Sequence, residues 1–421
     1  MLDIKFIREN LDIVKEGAKK KNVDIDLDAL IALDDKRLAL TKEVDEFRAK
    51  KNSVSDMVAK ESDPSKREQM ISEMKALKDD FENKEKELKE VIEKWQEAML
   101  YVPNIPDMAV PFGKDDADNQ EIKAWGDKTS FSFEAKDHME ILEALDMIDV
   151  ERGTKVHGFR GYYLKGDVVN LCFAIWQYAL EFFANGKGFV PVLPPTVVKK
   201  KFLYGTAHLP GDVEDFYETQ DGDVLAGTAE VPLMAMYSDE VLDKSMFPVK
   251  YLGFSPCYRR EAGSHGKDTK GLIRVNEFYK FEQLILCEAD HELSVKYHEE
   301  INRNTEEFIE SMEIPYHTVL NCGGDLGLGQ VKKYDIELWV PKEEKYREIS
   351  SASYFHDFQT RRFGTRYKDD DGKMKFAHSL NCTAIPTPRI LVSLIENFQT
   401  QDGNVKIPKA LVKYFGKEYL K

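Results

Sequence analysis

The first hundred residues carry the same seven-residue hydrophobic rhythm twice, interrupted by a proline. The first repeat is at Leu30, Leu33, Leu40, Val44, Phe47, Val54 and Val58, with Arg37 and Lys51 in the gaps. After a break at 62–64 the rhythm resumes at Met70, Met74, Leu77, Phe81, Lys84, Leu88, Val91, Trp95 and Ala98. Alternating steps of three and four predict two helices packed along one seam, and the short turn makes them antiparallel. We therefore expect a coiled-coil hairpin over about 27–100, an arm about 50 Å long at about 1.5 Å rise per residue.

Charge is distributed unevenly along this predicted hairpin. Residues 48–67, around the turn, include six basic and three acidic side chains for a net charge of +3, whereas 27–47 and 68–100 carry −3 and −4. The six bases are Arg48, Lys50, Lys51, Lys60, Lys66 and Arg67. The whole chain has a net charge of −16, which argues against nonspecific nucleic-acid binding. A cationic tip suits a partner rich in phosphate. A scaffolding or dimerisation coiled coil with a solvated tip is the alternative that heptads alone leave open.

Several kinds of site find no support in the composition. The cysteines stand singly at Cys172, Cys257, Cys287, Cys322 and Cys382. His291 and His298 do not form an H-E-x-x-H pair, so no zinc is expected. The glycine run at 323–329 fits neither a dinucleotide-binding nor a P-loop pattern and predicts a turn. No apolar run approaches a membrane span and the start does not read as a secretory signal, so we expect a cytoplasmic protein without a membrane partner.

The remainder of the chain has the pattern of an α+β domain. A linker with three prolines, Tyr101–Gly113, predicts a boundary between an N-terminal domain of 1–104 and a second domain of 105–421. Beyond it, a helical pattern at Val168–Ala184 alternates with short apolar strands such as Tyr251–Tyr258 and Phe278–Leu286. Because these strands follow one another closely, they favour an antiparallel sheet flanked by helices.

The stretch Cys257–Gln283 contains the side chains best suited to chemistry. Arg259 and Glu261 are two residues apart on a predicted strand and would face the same side. On the returning strand Phe278, Lys280 and Glu282 alternate in the same way. Such a face is too polar to pack in a hydrophobic core, but it suits a nucleotide. The arginine can bind phosphate, and the ring can stack on a base. A half-exposed hairpin with incidental ion pairs is the alternative.

YRRE followed by GLIRVNEFYKFE resembles motif 2 of the class II aminoacyl-tRNA synthetases, in the form used by seryl-tRNA synthetases. GKGFVPVLPP resembles motif 1, with Pro195 as its defining proline, and PRILVSLIENFQ resembles motif 3. GTAEVPL and REISSASYFHDFQTRR are similar to further segments of the seryl enzymes, so the resemblance covers essentially the whole chain. It implies an antiparallel class II catalytic domain behind an N-terminal tRNA-binding arm.

The resemblance also implies an ATP site. Its residues would be Arg259, Glu261, Phe278, Glu348, Ser350, Ser351 and Arg389. Arg259 would contact the α-phosphate and Glu261 the adenine or ribose side. Phe278 and Arg389 would sandwich the adenine, with Arg389 also reaching the γ-phosphate, so that Arg259 and Arg389 are the implied catalytic residues. Glu348 and Ser351 would hold Mg²⁺, which prefers oxygen ligands and bridges phosphates.

The implied amino-acid site consists of Thr228, Glu230, Arg274, Glu282, Asn381 and Thr383. The carboxylates would receive the serine ammonium and Arg274 would steady its carboxylate. Asn381 and Thr383 would face the hydroxyl, and which of them makes the main contact stays open. The implied reaction is attack of the serine carboxylate on the α-phosphorus of ATP, giving seryl-adenylate and diphosphate. The terminal ribose hydroxyl of serine tRNA then attacks the activated carbonyl.

Partners follow from the same resemblance. The arm would grip the long variable arm of serine tRNA by shape and phosphate. Family members are homodimers and can also serylate selenocysteine tRNA; the sequence does not decide whether this chain does.

Three other functions fit the sequence less well. A ligase that loads a carrier protein would lack the arm. An RNA-binding adaptor would have lost residues such as Arg259 or Arg389. A class II enzyme for threonine or proline would not match the arm and the N-x-T segment.

One departure from many bacterial relatives is NCTAIPTPR before motif 3, where Thr387 and Pro388 predict a cap and first residue for the following helix.

Overall fold

The computed structural model describes residues 1–76, 78–262, 268 and 270–421, in two compact units. One unit contains Leu2–Lys19 and Val23–Pro103; the other contains Met1, Lys20–Asn22 and Asn104–Lys421. Along the chain the change of unit falls after Pro103, next to the predicted domain boundary. The heptad position Leu77 and residues 263–267 and 269 lie outside the described residues.

Helices account for most of the first hundred residues. Their bounds are Ile4–Glu9, Leu11–Lys20, Leu27–Lys60, Pro64–Ala76 and Lys78–Tyr101. Asp26 begins the long helix by accepting a hydrogen bond from the Ala29 amide at 2.9 Å, which satisfies a donor that the helix itself leaves unpaired. The turn predicted at 62–64 lies between Lys60 and Pro64, as expected.

The predicted seam of the hairpin is confirmed. Every apolar heptad position among the described residues is buried or partly buried. The Phe47 and Phe81 rings stack with centroids 4.2 Å apart, and Lys84 Nζ lies 2.9 Å from Glu43 Oε2. From one contact to the other the residue number falls on the first helix and rises on the second, which requires antiparallel helices. Burial along this stripe stabilises the hairpin, because isolated helices depend on packing more than on propensity.

A buried carboxylate joins the first helix to the base of the arm. Asp34 is 1% exposed and accepts hydrogen bonds from Arg8 Nε at 2.9 Å and from Arg37 Nη2 at 2.7 Å. The Arg37 guanidinium also lies 4.7 Å from the centre of the Trp95 ring. With cations on both sides, the charge of Asp34 is compensated although water is excluded.

The second unit is built on a sheet that has eight strands in the described part of the chain. In spatial order they are Gln120–Trp125, Tyr316–Leu320, Lys332–Val340, Lys345–His356, His378–Thr387, Glu277–Cys287, Val249–Tyr258 and Val190–Val192. Neighbours run antiparallel, as predicted, except that Val190–Val192 is parallel to Val249–Tyr258. Smaller sheets pair Ile148–Asp149 with Tyr163–Leu164, Val197–Lys199 with Asp223–Leu225, Val241–Leu242 with Arg366–Lys368 and Met374–Phe376, and Val405–Lys406 with Tyr419–Leu420.

Helices flank this sheet. They are His138–Ala144, Val150–His157, Asp167–Leu180, Lys201–Gly205, Glu230–Ala235, His291–Ser311, Phe358–Phe363, Arg389–Asn397 and Lys409–Phe415. The longest, His291–Ser311, buries Ile301, Phe308 and Ile309 completely. These positions share one helix face, which packs on the central strands. No helix in the described ranges is long and apolar enough to cross a membrane.

Two local predictions were wrong. Arg259 and Glu261 do not continue the strand: it ends at Tyr258, and Glu261 has a φ of +55°. Strand alternation therefore does not explain why both side chains line the same cavity. Thr387 does not cap the following helix, because it ends the strand His378–Thr387 and its hydroxyl accepts a hydrogen bond from Trp176 Nε1 at 3.0 Å.

Candidate active site

Two adjoining cavities open over the central strands of the sheet. Of the predicted residues, the first cavity is lined by Arg259, Glu261, Arg274, Phe278, Glu348, Thr383 and Arg389. The second is lined by Thr228, Glu230, Arg259, Glu282, Ser351, Asn381 and Thr383. Arg259, Lys280 and Thr383 line both. The structure thus brings together residues from five separate segments of the sequence at one place.

Arg259 lies where the two cavities meet. Its guanidinium carbon is 5.5 Å from the centre of the Phe278 ring, and its Nε donates to the Gly227 carbonyl at 3.3 Å. The backbone amide of Arg259 bonds to the Asn276 carbonyl at 2.9 Å. These contacts fix the direction of the side chain, and its remaining N–H groups make no hydrogen bond to the described residues. A guanidinium can bind phosphate through two parallel hydrogen bonds.

Arg389 begins the helix that follows the last strand of the motif region. Its Nε donates to the Ile273 carbonyl at 2.9 Å, and its Nη1 donates to the Glu348 carbonyl at 3.0 Å. The Glu348 carboxylate lies 3.6 Å from the same nitrogen. Arg389 and Phe278 both line the first cavity, which is the arrangement required if they are to stack on a base.

Glu261 and Arg274 form an ion pair across the loop. Arg274 Nη1 lies 2.9 Å from Glu261 Oε2, and Arg274 Nε lies 3.3 Å from Asp268 Oδ2. Asp215 accepts a hydrogen bond from the Glu261 amide at 2.6 Å. The sequence contained no signal for Asp215, because it is 46 positions from Glu261 and belongs to no motif. In this arrangement Arg274 lines only the first cavity, whereas most of the other predicted serine ligands line the second: Thr228, Glu230, Glu282 and Asn381.

Lys280 is the residue at the centre of the site that the sequence did not assign. It is 4% exposed, and its ammonium lies 2.5 Å from Glu282 Oε2. It also donates to Thr228 Oγ1 at 2.9 Å and to Thr383 Oγ1 at 3.1 Å. The alternation of Phe278, Lys280 and Glu282 along the strand predicts that all three share a face. This expectation is confirmed, because Phe278 and Lys280 line the first cavity and Lys280 and Glu282 line the second.

Glu230 is a second buried carboxyl group in the same cavity. Gln359 Nε2 donates to its Oε1 at 2.7 Å, and Asn381 also hydrogen-bonds to it. Burial, together with the negative charge of Glu282, raises the pKa of Glu230 to about 7. The protonation of this carboxyl group therefore changes within the physiological pH range.

The side chains around residue 350 point to two different sides of their strand. Glu348 and Ser351 line the cavities, whereas the Ser350 hydroxyl is buried and donates to the Thr383 carbonyl. Behind Ser351 lies Asp335, its neighbour across the strand pair. Burial raises the pKa of Asp335 to about 6, although Lys333 opposes the shift. An ATP contact from Ser350 stays a prediction, and it would have to use the backbone.

The six predicted tRNA contacts lie around the tip of the arm. Arg48, Lys50, Lys51, Lys60, Lys66 and Arg67 are all exposed. Lys60 ends the first long helix, while Lys66 and Arg67 are in the first turn of Pro64–Ala76. Arg48 pairs with Glu85 at 2.8 Å across the hairpin. The described residues contain no group of three or more His, Cys, Asp or Glu side chains that could hold a metal ion.

Comparison with known proteins agrees with this geometry. The family model "tRNA synthetase class II core domain (G, H, P, S and T)" matches residues 214–398, and "Seryl-tRNA synthetase N-terminal domain" matches residues 1–106. The fold is that of a class II aminoacyl-tRNA synthetase.

Full-length relatives narrow the assignment. The serine–tRNA ligase of Deinococcus radiodurans is 44% identical over 417 residues, covering 99% of this chain and 98% of that one. The serine–tRNA ligase of Rubrobacter xylanophilus is 38% identical over 422 residues, covering 100% and 99%. The crystal structure of seryl-tRNA synthetase from Pyrococcus horikoshii complexed with ATP has a TM-score of 0.90 at 36% identity, covering 100% and 99%. The chain belongs to the seryl-tRNA synthetase family, and the family resemblance inferred from the motifs is confirmed.

Proposed function

We propose that the chain activates serine in these two cavities, with ATP in the first and serine in the second. The observation that carries this division is that Arg259 lines both cavities beside Phe278. A guanidinium at the junction lies where an α-phosphate must meet the carboxylate of an amino acid. The first cavity has an aromatic ring and Arg389 for the base and outer phosphates, and the second has buried carboxylates for an ammonium.

The proposed reaction is a direct displacement at phosphorus. An oxygen of the serine carboxylate attacks the α-phosphorus, the bond to the bridging oxygen breaks, and diphosphate leaves with that electron pair. Arg259 stabilises the negative charge that develops on the α-phosphate. No side chain has to form a covalent bond, so catalysis consists of positioning and electrostatic stabilisation. Transfer to the terminal ribose of tRNA then releases AMP.

The residues present fit the Mg²⁺ that the family implies. Glu348 and Ser351 present oxygen atoms, and the Glu348 side chain is 49% exposed and therefore accessible to a hydrated ion. Mg²⁺ is usually held by one or two carboxylates together with substrate phosphates, which agrees with a site of so few protein ligands. When bound, the ion would neutralise phosphate charge. Arg389, 3.6 Å from Glu348, would contact the same end of the triphosphate.

Serine selection is assigned to Thr383 rather than Asn381. The Asn381 side chain hydrogen-bonds to Glu230, whereas the Thr383 hydroxyl lies between Lys280 and Glu282 and lines both cavities. A cavity that hydrogen-bonds a hydroxyl discriminates against alanine, because buried polar groups would otherwise lose their partner. Glu282 and Glu230 would share the substrate ammonium.

The basic tip of the arm supports tRNA as the partner. We assign this tip to the long variable arm of serine tRNA, a contact based on phosphate and shape. The cytoplasm is the proposed compartment, since serine tRNA is used there in protein synthesis. Phosphate contacts by six exposed basic side chains give affinity without requiring recognition of the nucleotide bases.

Amino-acid-dependent exchange of pyrophosphate into ATP, without tRNA, tests the function directly. Serine, threonine, alanine and glycine are assayed in parallel. We expect rapid labelling of ATP with serine alone. Exchange with another amino acid and none with serine would refute the proposal.

Serine affinity is expected to depend on pH through Glu230. Below its pKa of about 7 the carboxyl group takes up a proton and no longer balances the serine ammonium. The KM for serine should therefore rise about tenfold between pH 8 and pH 6, while the KM for ATP changes little. Glu230→Gln should show a high KM at every pH. A KM that is flat in the wild type would show that Glu230 does not bind serine in its ionised form.

An exposed apolar groove supports the proposed homodimer. Its lining includes Phe173 at 61% exposure and Leu193 at 81%, and Leu193 lies within the segment that resembles motif 1. Large apolar groups exposed together mark interaction surfaces. Sedimentation should give a dimer for the wild type and a monomer for the double variant Phe173→Asp/Leu193→Asp. A monomeric wild type at micromolar concentration would contradict the proposal.

A further inference from the structure

We propose that Lys280 fixes the direction of the hydrogen bonds in the amino-acid cavity, so that Thr383 acts as an acceptor and selects a substrate side chain that can donate. This inference rests on the proposed serine-activating function. It makes Lys280 a positioning residue, because its ammonium acts through the threonine and glutamate side chains around it.

The ammonium of Lys280 has as many protons as it has acceptors around it. Glu282 Oε2, Thr228 Oγ1 and Thr383 Oγ1 lie 2.5, 2.9 and 3.1 Å away. An ammonium donates three hydrogen bonds and accepts none, so these contacts use its full capacity. The partners come from the same strand, from the segment before Glu230–Ala235 and from the adjacent strand. Lys280 therefore ties three chain segments to one point.

Counting donors and acceptors shows what remains for a substrate. Thr228 Oγ1 accepts from Lys280 and from the Glu230 amide at 3.2 Å, and it donates to Glu282 Oε2 at 3.3 Å. Both of its acceptor positions and its proton are thus occupied. Thr383 Oγ1 accepts from Lys280, and its proton can reach Glu282 Oε2 at 3.4 Å. Within the part of the chain that the structure describes, one acceptor position on Thr383 is left over.

The consequence is a cavity with a fixed polarity. A hydroxyl on the substrate can donate to the remaining lone pair of Thr383, whereas alanine and glycine leave it unpaired in a buried site. Without Lys280 the Thr383 hydroxyl could turn and satisfy itself elsewhere, so the penalty against alanine would shrink. Glu282 would also lose the cation that offsets its charge. This loss matters because both side chains are at most 5% exposed, so water cannot replace the cation.

The test is the ratio of kcat/KM for serine to that for alanine in pyrophosphate exchange. Lys280→Met, of similar length but without donors, should lower this ratio tenfold or more, with the KM for ATP within threefold of the wild type. The matched control is Lys250→Met, which removes a lysine from the neighbouring strand that pairs with Glu300 at 2.5 Å and lines neither cavity. It should leave the ratio within twofold.

A double variant shows whether Lys280 acts through Thr383. Thr383→Val removes the hydroxyl and should itself lower the serine-to-alanine ratio; adding Lys280→Met should then change the ratio by no more than threefold. Full additivity, or a Lys280→Met enzyme with an unchanged ratio, would overturn the inference. If Lys280→Met does not fold, Lys280→Leu, which also lacks donors, replaces it and must show the same fall. Failure of the proposed function would appear differently, as absence of serine-dependent exchange in the wild type.

Discussion

Arg259→Ala should lower kcat/KM for serine-dependent pyrophosphate exchange by about 10²–10³-fold, the usual effect of removing one preorganised donor from a developing anionic charge. Most of the loss should fall on kcat, because the α-phosphate gains its charge only on the way to the pentacoordinate state. The side chain is already oriented by the Gly227 carbonyl and the Phe278 ring. Rapid-quench measurement of adenylate formation isolates this step from product release.

The adjacent arginine provides the matched control. Arg260 is exposed and lines neither cavity, and its backbone amide bonds to the Asp215 carbonyl at 2.8 Å, a contact that Arg260→Ala retains. We expect Arg260→Ala to stay within threefold of the wild type. Arg259→Lys should recover only part of the loss, since an ammonium keeps the charge but not the planar pair of donors. An Arg259→Ala enzyme with more than a tenth of wild-type kcat/KM would contradict the assigned role.

The arm was predictable because its signal is local. A heptad stripe records which side of a helix is covered, and one proline-containing break between two such stripes leaves only an antiparallel hairpin. The Phe47–Phe81 stack and the Lys84–Glu43 pair then follow from a register that the lengths of the two helices already impose. The buried Asp34 was not predictable, since its partner Arg8 lies in a separate helix outside the repeat.

The catalytic site was predictable only in part. Alternation placed Phe278, Lys280 and Glu282 on one face, and motif resemblance supplied the other residues. The role of Lys280 depends on Thr383 lying opposite Glu282 in the neighbouring strand. The register between strands joined by long connections cannot be derived from periodicity, because any shift by two residues preserves the same faces. The sequence therefore placed Lys280 on the strand face but did not indicate its role at the centre of the site.

A backbone irregularity explains the wrong strand prediction at Arg259 and Glu261. Continuing the strand through Arg259 and Glu261 assumed regular extended geometry, yet Glu261 adopts a left-handed φ of +55° at the start of the charged loop. A similar assumption would place Glu348 and Ser350 on one side. Ile336 pairs with Ser350 but the next residue, Glu337, pairs with Glu348, so Ile349 is an extra residue that leaves Ser350 inside and Glu348 at the cavity. No residue type at these positions signals such an irregularity.

Shortening the arm should separate the two half-reactions. The Phe47–Phe81 stack defines where the helices can be rejoined, so we would replace residues 48–80 with a four-residue Gly/Ser turn. This removes all six tip bases and keeps the buried contacts of Asp34 at the base of the arm. Exchange without tRNA should stay within twofold, because both cavities lie in 206–389. Charging of serine tRNA should fall about 100-fold or more, as several phosphate contacts are lost together.

Point variants in the full-length arm distinguish the effect of the charge at the tip from the effect of the length of the arm. Replacing Lys50, Lys51, Lys66 and Arg67 with alanine should weaken tRNA binding. It should also reduce the slope of log Kd against log salt concentration by about 0.7–0.9 for each phosphate contact removed. The control replaces Lys36, Lys42 and Lys89 on the stalk, which pair with Glu87, Glu46 and Glu93. If these stalk substitutions reduce charging as much as the tip substitutions, or if the shortened arm still supports charging at the full rate, the tip does not bind tRNA.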